Sequence, residues 1–119
     1  MRKILIVEDE KPLARVMSLK LNSVGYQTTA VFNGEEAIAI LAKQSFDLVI
    51  LDLLMPKGDG FSVLAHLNKS GIKTPVIVAS NLAQQEDIEK AKKLGAVDYF
   101  VKTDITLVEM VNKVKQYLQ

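Results

Sequence analysis

Short apolar segments alternate with longer segments of helical periodicity along the whole chain of 119 residues. The apolar segments are rich in β-branched and aromatic residues, and most are apolar on both faces, which is typical of strands buried in a parallel sheet. We predict five such strands, at residues 4–7, 28–32, 48–51, 76–79 and 99–101. A stripe of apolar residues at helical spacing follows each strand. The alternation predicts right-handed crossovers and an α/β fold, a doubly wound five-stranded parallel sheet with helices on both faces.

Length and charge exclude several classes of protein. A chain of 13.2 kDa buries roughly two-thirds of its unfolded surface, which suffices for one core and therefore one domain. With 15 Lys and Arg against 14 Asp and Glu, the net charge of +1 provides no basic field for nucleic acid or an anionic membrane. The absence of Cys excludes a disulfide scaffold, a thiolate zinc site and a cysteine nucleophile.

The N-terminal apolar segment is a candidate targeting sequence. It spans only residues 4–7 before Glu8 interrupts it, which is too short for the core of a signal peptide. No segment reaches the roughly 18 apolar residues that span a bilayer. We therefore predict a cytoplasmic protein that does not contact a membrane.

Polar side chains follow four of the predicted strands. Glu8 and Asp9 follow the first strand, Asp52 the third, Ser80 the fourth and Lys102 the fifth. Open α/β sheets bind ligands at the carboxyl ends of their strands. We therefore expect these groups to lie close together although they are far apart in sequence.

The chemistry of this set indicates phosphoryl transfer. Clustered carboxylates repel one another, and Mg²⁺, which prefers oxygen ligands, would compensate that repulsion. The hydroxyl of Ser80 and the ammonium of Lys102 are suited to binding phosphoryl oxygens. Asp52 is the predicted nucleophile, because it ends the most continuous apolar strand and faces the other groups. Any one of these residues alone could be a turn, a cap or a surface residue, so the prediction depends on the set.

Several segments also match the pattern of one protein family. They are residues 4–10 (ILIVEDE), 47–56 (DLVILDLLMP), 58–60 (GDG), 75–80 (PVIVAS), 95–99 (GAVDY) and Lys102. With them the chain resembles, over essentially its whole length, the receiver domain of a bacterial two-component response regulator of the stand-alone, chemotaxis-regulator-like kind. The resemblance implies the flavodoxin-like strand order 2-1-3-4-5 and a single receiver domain over residues 1–119, with no output domain.

The resemblance also implies a phosphoacceptor and a metal site. Asp52 would accept a phosphoryl group from a phosphohistidine on a sensor histidine kinase or a histidine phosphotransfer protein. Asp9, Asp52 and the backbone carbonyl of Leu54 would hold Mg²⁺, with Glu8 helping through water. Such a protein catalyses only its own phosphorylation and dephosphorylation, so we do not expect an enzyme acting on a separate substrate.

The remaining implied roles concern switching. Ser80 and Lys102 would bind the phosphoryl oxygens, and Tyr99 resembles the family's switch aromatic, which turns inward when the hydroxyl residue moves toward the phosphoryl group. The output surface would comprise the fourth helix, fifth strand and fifth helix, around residues 86–93, Tyr99 and residues 110–117. It would contact a downstream protein whose identity the sequence does not reveal, and activation would be compatible with a homodimer.

Two positions depart from the family pattern. Thr103 follows Lys102 where the family usually has Pro, often after a cis bond, and a cis bond before a non-proline residue costs about 3 kcal/mol. Asn81 follows Ser80 where the family favours Ala or Gly, so an amide could crowd the phosphoryl site or bond to it. Either change could alter rates, but neither removes a catalytic group.

Other functions fit the sequence less well. A nucleotide or flavin binder of this fold needs a loop rich in Gly, Ser or Thr after the first strand, whereas residues 8–12 read EDEKP. An aspartate-based phosphatase needs a second acid where Leu54 stands, and His66 is more typical of a helix surface than of a phosphohistidine carrier. A pseudo-receiver, which binds partners without phosphate-dependent switching, stays open because of Thr103 and Asn81.

Overall fold

A computed structural model describes residues 1–118 of the chain. The strands are β1 (Lys3–Val7), β2 (Gln27–Val31), β3 (Leu48–Leu51), β4 (Val76–Ser80) and β5 (Asp98–Val101). The helices are α1 (Lys11–Ser23), α2 (Gly34–Lys43), α3 (Gly60–Lys69), α4 (Gln85–Lys93) and α5 (Leu107–Tyr117), with a 3₁₀ turn at Lys102–Asp104. Within this part of the chain, no helix is long and apolar enough to cross a bilayer.

All five strands are parallel and lie in the order β2-β1-β3-β4-β5. The predicted doubly wound, flavodoxin-like fold is therefore confirmed. Alternate residues of each central strand face opposite sides of the sheet. Leu5 and Val49 pack with α2, α3 and α4, while Ile6 and Ile50 pack with α1 and α5. This double burial explains why the central strands are apolar except at Lys3, which starts β1, and Ser80, which ends β4.

The edge strands differ from the prediction. β2 begins and ends one residue earlier than predicted, and only Val31 of its five residues is buried. In β5 only Phe100 is buried. These strands lie at the two edges of the sheet and have one neighbour each, so less of their surface is covered.

Side-chain caps fix where three helices begin, and thereby shape the loops at the carboxyl edge of the sheet. Asn33 Oδ1 accepts from the N–H of Glu36 at 2.9 Å and caps α2. Asp59 caps α3, and Thr106 forms a capping box at the start of α5. The loop after β3 is therefore anchored where α3 starts.

Candidate functional site

Three carboxylates meet at the carboxyl edge of the sheet. Glu8 and Asp9 follow β1, and Asp52 follows β3, whose last residue is in register with the last residue of β1. One oxygen from each carboxylate lies within 4.8 Å of the others. Glu8 and Asp52 are buried, at 2% and 5% exposure, and Asp9 is half-buried. The structure thus brings together the three acids that the strand ends predict to converge.

Lys102 joins this cluster from the 3₁₀ turn directly after β5. Its Nζ lies 2.5 Å from Glu8 Oε1 and 3.1 Å from Asp52 Oδ2. Burial lowers the pKa of Lys102, but the hydrogen bonds and charges of the two carboxylates outweigh it and raise the pKa above its ordinary value. Lys102 therefore keeps its positive charge and bridges two buried acids.

The single cation does not neutralise the cluster. Burial raises the pKa of Glu8 to about 7, although Lys102 and the Glu10 N–H both bond to its carboxylate. Burial also raises the pKa of Asp52, against the charge and hydrogen bond of Lys102 and the N–H of Leu54. Desolvation thus exceeds the stabilisation that neighbouring groups supply, and the site favours an additional positive charge.

The donor set fits a hard divalent cation. All three acids offer oxygen, and Mg²⁺ prefers one or two carboxylates together with waters and other oxygen ligands. Within residues 1–118, Asp52 Oδ1 has only a long 3.4 Å contact, with the N–H of Leu54, so this oxygen has capacity for a further ligand. The side chain of Leu54 is 56% exposed, which is consistent with a contribution from its backbone alone.

Ser80 and Tyr99 are linked through one backbone residue. Ser80 is fully buried, and its Oγ accepts from the N–H of Leu82 at 3.2 Å. The Tyr99 hydroxyl donates to the carbonyl of Leu82 at 2.6 Å, and burial of the half-buried ring raises the pKa of Tyr99. Sequence reasoning missed Leu82, because only its backbone atoms take part and no residue type signals them.

Comparison with known proteins decides the family. The family model described as "Response regulator receiver domain" matches residues 4–115. The chain belongs to the response regulator receiver family. Receiver domains act in phosphorylation-dependent two-component signalling, interact with histidine kinases or phosphotransfer proteins, and generally bind Mg²⁺ at an acidic pocket of the kind that Glu8, Asp9 and Asp52 form here.

Curated relatives of this receiver domain are longer proteins. "Transcriptional regulatory protein PcoR" of Escherichia coli is 34% identical over 119 residues, covering 100% of this chain and 52% of that protein. "Probable transcriptional regulator ycf27" of Porphyridium aerugineum is 38% identical over 100 residues, or 84% of this chain and 41% of that protein. The chain thus spans about half the length of the curated relatives it matches, or somewhat less.

Solved receiver structures superpose closely on the chain. The receiver domain of Francisella response regulator 1452 gives a TM-score of 0.93 at 32% identity, covering 98% of this chain and 96% of that one. The signal receiver domain of a histidine kinase from Syntrophus aciditrophicus gives 0.89 at 34% identity, covering 99% and 90%. The sheet order and helix placement described above are therefore those of receiver domains.

The two departures from the family pattern leave the receiver site intact. All peptide bonds of residues 1–118 are trans, including Lys102–Thr103, and Lys102 nevertheless reaches both carboxylates. Asn81 is exposed. His66 is exposed on α3, where its Nε2 lies 3.4 Å from Ser70 Oγ, so its contacts are those of a helix surface.

Proposed function

We propose that this receiver domain is a Mg²⁺-dependent phosphorylation switch in which Asp52 accepts the phosphoryl group. One observation carries the proposal. The nearly buried Asp52 lies within a cluster of three carboxylates, with the ammonium of Lys102 at 3.1 Å. A nucleophilic oxygen, a cation for the phosphoryl oxygens and a set of metal ligands are therefore adjacent, and phosphoryl transfer depends mainly on such positioning and charge neutralisation.

The transfer is a single displacement at phosphorus. A carboxylate oxygen of Asp52 forms the new O–P bond while the N–P bond of the donor phosphohistidine breaks, and the imidazole leaves with the electron pair. Lys102, already beside Asp52, stabilises negative charge on the phosphoryl oxygens. Bound Mg²⁺, held by Asp9, Asp52 and the Leu54 carbonyl with Glu8 acting through water, would neutralise those oxygens. Hydrolysis returns free Asp52, so the domain catalyses only its own phosphorylation and dephosphorylation.

Switching would begin at Ser80. A hydroxyl that turns toward phosphorylated Asp52 gives up the hydrogen bond from the Leu82 N–H, and Tyr99 is bonded to the carbonyl of the same residue. Movement at Ser80 would therefore alter the loop after β4 and the position of Tyr99. These lie within the surface of α4, β5 and α5, which we propose as the binding site for a downstream protein or a second copy of the domain. Only contacts that differ between the two states can shift their populations.

Phosphorylation of the purified chain tests the proposal. Wild type incubated with Mg²⁺ and acetyl phosphate should gain one phosphoryl group by intact-mass spectrometry, and none when the metal is chelated. Asp52→Asn should gain none, whereas the matched change Asp59→Asn, at the exposed cap of α3, should react as wild type does. No adduct on wild type, while a known receiver reacts alongside, would reject the switch and favour the pseudo-receiver. An adduct on Asp52→Asn would place the phosphoacceptor elsewhere.

A further inference from the structure

The loop between β3 and α3 carries the Leu54 carbonyl, the proposed backbone ligand to Mg²⁺. Its two ends are held locally. The N–H of Gly60 donates to the carbonyl of Leu53 at 2.9 Å, and Asp59 Oδ1 accepts from the N–H of Ser62 at 2.9 Å. These bonds fix where the loop starts and ends but leave the path between them undetermined.

The middle of the loop rests on a different element, the first turn of α2. The N–H of Glu35 donates to the carbonyl of Lys57 at 3.2 Å. A Cβ placed on Gly34 would lie 2.1 Å from the carbonyl oxygen of Gly58 and 2.7 Å from its carbonyl carbon. Lys57 and Gly58 both have positive φ, 52° and 91°. The backbone therefore turns sharply there and meets α2 at contact distance.

Gly34 does not adopt a backbone conformation that requires glycine. It is the first residue of α2 and does not have positive φ, and most other residues favour a helix more than Gly does. The contact with Gly58 supplies the reason for a residue without Cβ. No role for Gly34 was predicted from the sequence.

We propose that Gly34 is a positioning residue, whose contact with Gly58 holds the β3–α3 loop where the Leu54 carbonyl can bind Mg²⁺. The inference rests on the proposed metal site. A methyl group at Gly34 must move the Gly58 carbonyl oxygen from 2.1 Å to about 3.4 Å, the onset of ordinary contact. The loop gives way rather than α2, because residues 56–59 are exposed, whereas Ala37 of α2 is fully buried. Mg²⁺ demands near-octahedral geometry at about 2.1 Å, so the ligand is lost when the shift at Gly58 carries through the loop to the Leu54 carbonyl.

A Mg²⁺ titration of the full chain by isothermal calorimetry tests the inference. Gly34→Ala should weaken Mg²⁺ binding about 10- to 100-fold, the usual loss when groups supporting a ligand are altered. The matched control is Gly25→Ala. Gly25 has φ of 102° and nothing lies within 4 Å of an added Cβ, so this change strains the fold without touching the loop. Gly25→Ala should melt at a lower temperature yet bind Mg²⁺ within twofold of wild type. Equal weakening in both variants, or binding within twofold in Gly34→Ala, would overturn the proposal.

A second readout needs no metal. In amide NMR spectra of the metal-free chain, Gly34→Ala should shift the Leu54 resonance and speed hydrogen exchange at Glu35, and Gly25→Ala should do neither. An unmoved Leu54 resonance would overturn the inference. If wild type binds no Mg²⁺, the proposed metal site fails, and this readout alone decides whether Gly34 positions the loop.

One substitute keeps the test available if Gly34→Ala does not fold. Glu35→Pro removes the N–H that bonds to Lys57, at the second position of α2. The chain already has Pro12 at the second position of α1, so the helix tolerates proline there. Glu35→Pro should weaken Mg²⁺ binding and shift Leu54 in the same way, and unchanged binding and an unmoved resonance would overturn the proposal.

Discussion

Replacing Asp52 by Asn should stabilise the metal-free domain. The variant keeps the shape of the side chain and removes one charge from a site where three carboxylates share one ammonium. Lys102 is not left unpaired, because Glu8 remains 2.5 Å from its Nζ. The sign of the effect depends on two opposing terms. Lys102 stabilises the ionised Asp52 carboxylate, whereas the other two acids and burial destabilise it.

The distances allow an estimate. At an effective dielectric constant of about 20, Lys102 at 3.1 Å attracts the Asp52 carboxylate by about 5 kcal/mol. A carboxylate at 4.8 Å repels it by about 3.5 kcal/mol, and both Glu8 and Asp9 lie within that distance. Asp9 is half-buried, so water weakens its repulsion of Asp52. The combined repulsion from Glu8 and Asp9 then about equals the attraction from Lys102. The cost of burying the Asp52 charge is left uncompensated, and we expect Asn to be about 1–2 kcal/mol more stable.

Thermal unfolding in a chelator measures this difference. At about pH 8, where Glu8 with its pKa of about 7 is ionised, Asp52→Asn should raise Tm by about 3–8 °C. Asp59→Asn, the exposed control, should leave Tm nearly unchanged. Burial raises the folded-state pKa of Asp52. The destabilisation caused by its ionised carboxylate is therefore complete above that folded-state pKa and absent below the unfolded-state pKa. The advantage of Asn should therefore shrink as pH falls toward about 4. An unchanged or lower Tm at the higher pH would show that the acids are not crowded, and the reasoning would be wrong.

Three further changes test the surrounding contacts. Lys102→Met leaves its two buried carboxylate partners without a cation. In metal-free urea unfolding it should lower the free energy of unfolding by about 3–5 kcal/mol, with partial recovery in Mg²⁺. A loss under about 1 kcal/mol would contradict the ion-pair assignment. Burial raises the pKa of Asp98, but its hydrogen bonds, including one from Lys113, outweigh this and lower it. A carboxylate with a lowered folded-state pKa stabilises the fold above its unfolded-state pKa, and this stabilisation is lost as pH falls. Asp98→Asn should therefore lower the free energy of unfolding by about 1 kcal/mol near neutral pH and by little near pH 3. Urea unfolding across this pH range measures the difference. Gly60→Ala places a Cβ 2.3 Å from the Asp52 carbonyl oxygen and should cost about 2 kcal/mol or more in urea unfolding; wild-type stability would mean that the loop yields freely.

The central strands were predicted almost to the residue, and the edge strands less well. β3 was predicted at residues 48–51 and is observed as Leu48–Leu51, because burial on both faces leaves only apolar residues along its whole length. β2 was predicted at residues 28–32 and is observed one residue earlier, at Gln27–Val31. Most of its residues are only half-buried, and three of the five (Gln27, Thr28 and Thr29) are polar, so the apolar pattern that locates a strand is weaker at the edge of the sheet.

The convergence of acidic residues was predictable because it depends on topology alone. Glu8, Asp9, Asp52 and Lys102 each stand near the carboxyl end of a strand, and parallel strands bring those ends to one edge. The contacts of Leu82 and Gly34 were not predictable in this way. Leu82 acts through backbone atoms that every residue type has. Gly34 matters because it lacks a Cβ, but its contact with Gly58 depends on how the β3–α3 loop packs against α2, which the sequence pattern does not locate.

Charge balance links the metal to the switch under the proposed mechanism. With all groups ionised, three carboxylates and one ammonium leave two negative charges, which one divalent cation would neutralise. Phosphorylation replaces the single charge of Asp52 by up to two on the phosphoryl oxygens, so the balance fails again and new partners are required. Lys102 can turn from Glu8 to these oxygens, and the buried hydroxyl of Ser80 is a further available donor. Under the proposed mechanism, a Ser80 hydroxyl that turns toward the phosphoryl group leaves the Leu82 N–H that it accepts in the unphosphorylated state. That movement disturbs the loop whose Leu82 carbonyl accepts the Tyr99 hydroxyl.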